Sequence, residues 1–237
     1  MGIIKVNGII LRENNLGDAD KMVTILTPNY GKIGCAAKGA RRPRSALMAG
    51  TQFLCFGEFL IFKGNNSYRL NSCEPKEFFY NIRTDLNKLE YVSNITRIVN
   101  DVTDENQNTY RILQLYLNTL YIISETEKSL ELIYSVFKIR LMCILGFMPI
   151  INKCSNCGES ENLEGFSIKN NGFKCKECAN LDSSIMRVSQ STKDAIKYIV
   201  MSPPKKLYSF NLGDENIREL SLLSKLYLND KLEKDYI

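Results

Sequence analysis

Four cysteines fall in two matched pairs, Cys154-Ser155-Asn156-Cys157 and Cys175-Lys176-Glu177-Cys178, with 17 residues between the pairs. Each C-x2-C turn places two thiolates on one side of a metal, and two such turns close the tetrahedron that Zn²⁺ prefers. The spacer holds Gly165 and Asn170-Asn171-Gly172, the second a hairpin turn signal. A short β-hairpin between two knuckles is therefore predicted, a zinc-ribbon-like module. Thiolate at every corner leaves no position for a catalytic water, so one Zn²⁺ held by Cys154, Cys157, Cys175 and Cys178 is expected to be structural. Two redox pairs are the competing reading; it is the weaker, because a thioredoxin-like motif needs one pair beside a βαβ pattern. Cys35, Cys55, Cys73 and Cys143 sit within apolar patterns and are expected in the core.

The second chemical signal is charge. The net charge is +5, but no Asp or Glu occurs from residue 21 to residue 57, where Lys21, Lys32, Lys38, Arg41, Arg42 and Arg44 sum to +6. A solvated face usually mixes signs; a one-sign stretch is the footprint of a polyanion partner. The run Gly31-Lys32-Ile33-Gly34-Cys35-Ala36-Ala37-Lys38-Gly39-Ala40-Arg41-Arg42-Pro43-Arg44-Ser45 also has small residues that admit close backbone approach, and cations suited to phosphate. A plain solvated loop is the alternative. Tyr30, Phe53, Phe56 and Tyr68 could stack on bases, although most such aromatics belong to a core. Phe53 and Phe56 are placed on opposite faces of one strand.

Several chemistries are missing. The chain has no histidine, which removes the commonest general base and the usual nucleophile pairs. There is no P-loop and no G-x-G-x-x-G after a strand. Asp18 and Asp20 are close in sequence, but such a pair beside a turn is more often a turn or capping feature. A non-enzymatic protein is expected.

The elements that must carry these groups change character along the chain. Residues 3–12, 21–27, 32–38, 53–62 and 67–73 read as five short strands, with turn signals at Pro28-Asn29-Tyr30-Gly31 and Lys63-Gly64-Asn65-Asn66. A small barrel of the oligonucleotide-binding (OB-fold) type fits that number and size. Apolar residues then recur at helical spacing through Leu86–Val99, Ile112–Ile123 and Leu132–Leu145, with Gly146 and Pro149 ending the last run. After the cysteine module, Ser191 is a plausible N-cap for a further helix, Pro203-Pro204 breaks the chain, and a last helix is predicted over 214–231. The fold class expected is α+β multidomain: an OB-fold barrel over 1–79, a helical domain over 80–150 and 182–237, and the zinc module over 151–181 interrupting it. No apolar run is long enough to span a membrane. Met1-Gly2-Ile3-Ile4-Lys5-Val6 lacks a secretory n-region, so a cytoplasmic, nucleoid-associated protein with no membrane partner is expected.

Two stretches carry a family resemblance. Gly17-Asp18-Ala19-Asp20-Lys21-Met22-Val23-Thr24-Ile25-Leu26-Thr27, leading into Gly31-Lys32 and Ala37-Lys38-Gly39-Ala40-Arg41-Arg42, is one. Phe137-Lys138-Ile139-Arg140-Leu141-Met142-Cys143-Ile144-Leu145-Gly146-Phe147-Met148-Pro149, running into Cys154-x2-Cys157-Gly158, is the other. Both resemble the RecO family of bacterial recombination mediators, as does the order of barrel, helices, zinc module and helices. The resemblance implies binding of single- and double-stranded DNA and annealing of complementary strands without ATP. It implies partnership with RecR and with the acidic C-terminal tail of the single-stranded DNA-binding protein, and indirect loading of the RecA recombinase. The acid-free stretch falls where that family's barrel contacts DNA, which assigns phosphate contacts to Lys21, Lys32, Lys38, Arg41, Arg42 and Arg44. Lys138 and Arg140 become candidates for meeting the tail's carboxylates in the helical domain.

Two rivals belong to other classes. A zinc-containing protein–protein adaptor without a direct DNA role would leave the basic loop incidental. A metal-dependent nucleic-acid enzyme would need Asp18 and Asp20.

Overall fold

The computed structural model describes residues 2–65 and 67–236. Met1, Asn66 and Ile237 lie outside the described residues, so the turn predicted at 63–66 is described through Asn65 and the chain start from Gly2. The chain divides into two compact units, Met1–Ser124 and Glu125–Ile237.

The first unit begins with five strands and a single-turn helix: β1 (Gly2–Leu16), β2 (Asp20–Thr27), β3 (Gly31–Ala37), α1 (Leu47–Gly50), β4 (Phe56–Lys63) and β5 (Tyr68–Glu77). They close into a barrel in the order β1-β2-β3-β5-β4. β1 is long enough to serve both sides: Gly2 to Ile9 pair with β4, and Ile9 to Leu16 pair with β2. Gly8 lies where β1 crosses from one partner to the other, and a Cβ there would meet the Leu26 carbonyl oxygen at 2.7 Å. Among the described residues, β3 and β5 pair in parallel, setting Cys35 against Tyr68 and Ala36 against Arg69. Strand alternation sends Val6, Ile10, Val23, Ile25, Ile33, Cys35, Phe59, Ile61 and Leu70 inward to one core. Burial of these side chains, at about 25 cal/mol per Å² of apolar surface, is what makes the register unique, since a one-residue slip would turn them outward.

The predicted strand over 53–62 starts later, at Phe56. Phe53 lies in the preceding turn, where its N–H donates to Glu13 Oε1 at 3.0 Å and Leu54 has φ 64°. Phe53 and Phe56 therefore do not share a strand.

Three helices complete this unit: α2 (Tyr80–Arg83), α3 (Leu86–Asp101), capped by the Asp85 carboxylate, and α4 (Tyr110–Glu125), whose last residue begins the second unit. The segment between α3 and α4 is sewn to the β2–β3 turn. Asn106 N–H donates to Tyr30 O at 2.9 Å, Thr109 N–H to Pro28 O at 2.9 Å and Lys32 N–H to Asp104 O at 3.2 Å. Gly31, at φ 66°, makes that approach possible: a Cβ would lie 1.8 Å from the Asp104 oxygen.

In the second unit the apolar helix α5 (Leu130–Ile144) is buried nearly all round, as a helix without a polar face must be. Next come β6 (Leu163–Ser167), β7 (Gly172–Cys175), α6 (Lys176–Asn180) and β8 (Ile185–Arg187). α7 (Gln190–Met201), a 3₁₀ turn (Pro204–Lys206) and α8 (Asp214–Leu232) follow. The three strands form a sheet in the order β7-β6-β8. Phe166 meets Phe173 of β7 edge-to-face at 5.5 Å and Tyr227 of α8 at 5.4 Å, the second contact joining the sheet to α8. The N-cap of α7 is Ser189, whose hydroxyl accepts the Thr192 N–H; Ser191 lies inside the first turn. The cap sits two residues upstream of the expected one because Ser189 is also held from α8, its N–H donating to Glu219 Oε2 at 3.0 Å. Among the described residues, no helix is long and apolar enough to cross a membrane.

Candidate metal centre and nucleic-acid interface

The hairpin β6–β7 and the first residues of α6 bring the two cysteine pairs together. The Sγ atoms of Cys154, Cys157, Cys175 and Cys178 all lie within 4.8 Å of one another. Cys157 and Cys175 are 3.7 Å apart at sulfur, far beyond a disulfide bond of about 2.05 Å. A tetrahedral Zn²⁺ with Zn–S of about 2.3 Å requires S···S of about 3.8 Å. The four thiols therefore fit one Zn²⁺, and no other donor is needed.

Backbone shapes each knuckle. Gly158, at φ 84°, donates its N–H to Cys154 O at 3.0 Å, and Cys154 N–H donates to Glu159 O at 2.6 Å. Asn156 Nδ2 donates to Cys178 Sγ at 3.3 Å. Burial alone would raise the Cys154 thiol, but amides of Cys157, Cys175 and Asn156 aimed at the sulfur, with the Cys157 thiol, outweigh it and bring it down to about 6. That electropositive cradle favours the thiolate a metal requires. Lys174 and Asp182 pair at 2.7 Å beneath the hairpin, and Ser167 Oγ donates to the same carboxylate oxygen at 2.6 Å. The Lys174 ammonium, then the hydroxyls of Ser167 and of Ser184, which donates to Asp182 Oδ1 at 2.6 Å, hold the Asp182 carboxyl well below the usual carboxylate range.

The six cations of the acid-free stretch do not share one environment. Lys38, Arg41, Arg42 and Arg44 are exposed on the loop that leaves β3. Lys21 is paired with Glu13 across the β1–β2 ladder, its side chain 14% exposed. Lys32 turns the other way, its ammonium donating to Asn100 O at 2.7 Å at the end of α3.

The loop itself is held by several short bonds. Asp20 Oδ1 accepts the Gly39 N–H at 2.7 Å. Arg41 N–H donates to Ala19 O at 2.9 Å, and the Arg41 guanidinium to Gly17 O at 3.0 Å. Within the loop, Arg42 N–H donates to Gly39 O at 3.0 Å and Ser45 N–H to Arg42 O at 3.1 Å. Gly17 and Gly39 both take positive φ, 57° and 68°. Asp20, which sequence reasoning weighed as a metal-binding carboxylate, thus accepts from the loop backbone. Arg69, also exposed, adjoins Ala36 through the parallel β3–β5 register. Sequence reasoning missed it because it lies outside the acid-free stretch and reaches β3 only through a non-local pairing.

Lys138 and Arg140 lie on the buried helix α5. Lys138 is 3% exposed, with its ammonium 4.3 Å from the centre of the Tyr134 ring. Burial, then the nearby Lys225, pulls its pKa down to about 8, against a smaller opposing pull from Glu131. Arg140 donates to the carbonyls of Ile199 at 3.0 Å, Val200 at 2.8 Å and Ser202 at 2.6 Å. These are the unpaired carbonyls at the C-terminus of α7, where a cation is favoured.

Comparison with known proteins adds to this geometry. Residues 1–79 match the family model "Recombination protein O N terminal", and residues 83–237 match "Recombination protein O C terminal". A DNA repair protein RecO of Acetivibrio thermocellus is 43% identical over 100% of this chain and 94% of the relative. The DNA repair protein RecO of Alkaliphilus metalliredigens is 34% identical, over 98% of this chain and 95% of the relative. That of Thermoanaerobacter sp. is 30% identical over 100% of this chain and 95% of the relative.

Proposed function

The chain belongs to the recombination protein O family of DNA repair proteins, and on that premise we propose that it is a non-enzymatic mediator that binds DNA and pairs complementary strands. The observation that carries this reading is the loop after β3. Four cations, Lys38, Arg41, Arg42 and Arg44, stand exposed in a stretch with no acid, on a backbone held by its own bonds. The small closed barrel beneath it is of the oligonucleotide-binding type, a scaffold that offers one face and its loops to nucleic acid.

The mechanism is electrostatic. Two strands repel through their phosphates; a cationic loop neutralises both, releases counterions and holds them at high local concentration. Base pairing then supplies the driving force, and no nucleotide cofactor is required. Phosphate contacts carry no sequence information, so binding is sequence-independent. Cys154, Cys157, Cys175 and Cys178 would hold one Zn²⁺, which when bound would cross-link the two knuckles and supply folding free energy to the second unit. RecR and the acidic tail of the single-stranded DNA-binding protein are the protein partners proposed, with RecA loading as the outcome.

The test is annealing of two complementary oligonucleotides followed by fluorescence without nucleotide, native chain against Arg41→Glu/Arg42→Glu. Acceleration that the variant loses is the expected result. No acceleration by the native chain at low salt would overturn the reading in favour of a protein–protein adaptor.

A further inference from the structure

Asp20 presents a contradiction for a surface meant to attract phosphate. It is an anion at the base of the basic loop, where its charge opposes DNA, yet its carboxylate accepts the Gly39 N–H at 2.7 Å. Gly39 follows Lys38 and opens the turn that carries Arg41, Arg42 and Arg44. Its φ of 68° is left-handed turn backbone, which glycine adopts without a Cβ penalty. The neighbouring bonds, Arg41 N–H to Ala19 O and Arg41 guanidinium to Gly17 O, come from the same β1–β2 turn. That turn is a clamp on the loop's root, and among the described residues Asp20 is its side-chain acceptor. Arg42 follows the clamp: its Cδ and Nε lie 3.6 and 3.8 Å from where a Gly39 Cβ would sit.

We propose that Asp20 is a positioning residue for DNA binding: its carboxylate sets the backbone at Gly39 so that the four loop cations face one strand together. The inference rests on the loop being the DNA-binding surface. Charge and position make opposite predictions, which makes it testable. If only net charge mattered, removing an anion beside the loop would tighten binding. If Asp20 positions the loop, removing it weakens binding although the surface becomes more positive. A hydrogen bond to a charged acceptor is lost, and about tenfold weaker binding is expected.

The experiment uses the full chain and fluorescence anisotropy of a labelled oligothymidylate. Asp20→Ala should bind about tenfold more weakly. Asp20→Asn, which keeps an acceptor oxygen and drops the charge, should bind at least as well as the native chain. Asp18→Ala, on the same turn and outside this bond, should bind equally or more tightly. Trypsin should cut after Lys38, Arg41 or Arg44 faster in Asp20→Ala than in Asp20→Asn, a local readout that general destabilisation would not confine to this loop. Should Asp20→Ala not fold, Gly39→Val strains the same backbone without changing charge and should lose binding likewise. Native or tighter binding by Asp20→Ala, or equal losses in Asp20→Ala and Asp20→Asn, overturns the proposal. Arg41→Glu/Arg42→Glu runs in parallel. If it binds like the native chain, the interface reading fails and the proposal falls with it; if it loses binding while Asp20→Ala does not, the positioning role alone falls.

Discussion

Salt dependence distinguishes the cations that meet DNA from those that serve the fold. Each phosphate neutralised on a single strand contributes a slope of about −0.7 to log K against log salt. If all six cations of the acid-free stretch touched phosphate, the slope would be about −4.2, and raising salt from about 50 to about 200 mM would weaken binding about 300-fold. The structure engages Lys21 with Glu13 and Lys32 with Asn100 O, leaving Lys38, Arg41, Arg42 and Arg44 exposed. Four contacts give a slope of about −2.8 and a loss of about 50-fold over the same range. Arg42→Gln/Arg44→Gln should halve the slope to about −1.4, a loss of about sevenfold, while Lys32→Gln leaves it at the native value. The assay is anisotropy titration of a labelled single strand at several salt concentrations. A Lys32→Gln slope shallower than the native one by about 0.7, as loss of a single phosphate contact would give, would refute the reasoning, because it would put Lys32 on the phosphates instead of on α3.

Other perturbations read the second unit. Arg140→Met keeps the apolar stem but leaves three carbonyls at the end of α7 without their donor; chemical denaturation should show a loss of about 2–3 kcal/mol, and a change under about 0.5 kcal/mol would mean the side chain is free for a partner. The folded pKa of Lys138, about 8, lies below its ordinary 10.5. The folded chain therefore binds fewer protons than the unfolded chain between those values, and stability should rise as pH climbs from about 8 toward 10.5. Lys138→Met should abolish that component and add on the order of 2 kcal/mol at neutral pH; parallel stability–pH curves for the two chains would disprove it. Stripping metal with a strong chelator under reducing conditions, or Cys175→Ser, should lower the melting temperature and leave less than one equivalent of tightly held zinc. A Cys175→Ser chain that keeps a full equivalent and melts as the native does would remove the structural role.

Much of this was readable before folding, and the reason is locality. A C-x2-C turn is made by four consecutive residues, and the Asn170-Asn171-Gly172 signal between the pairs does become the β6–β7 turn, with Asn171 at φ 56°. Helix periodicity located α3, α4 and α5 because each buries one face or, for α5, nearly all of itself. The strand misread over 53–62 has a local cause too: an apolar run does not reveal that Phe53 is tied to Glu13, 40 residues away, before Phe56 enters β4.

What composition could not settle was the partner of each charge. Six cations in one acid-free stretch look alike in sequence. The β1–β2 register brings Glu13 to Lys21, a helix end 68 residues distant takes the Lys32 ammonium, and α5 draws Lys138 out of water. Asp18 and Asp20 are equally alike on paper; only the closure of the β1–β2 turn onto the loop makes one of them its acceptor. Residue types and short spacings were enough to place the barrel strands, the long helices, the four-thiol cluster and the positive charge. Tertiary structure alone decided which cations remain available to a polyanion, because that depends on cross-strand register and on contacts between residues far apart in the chain.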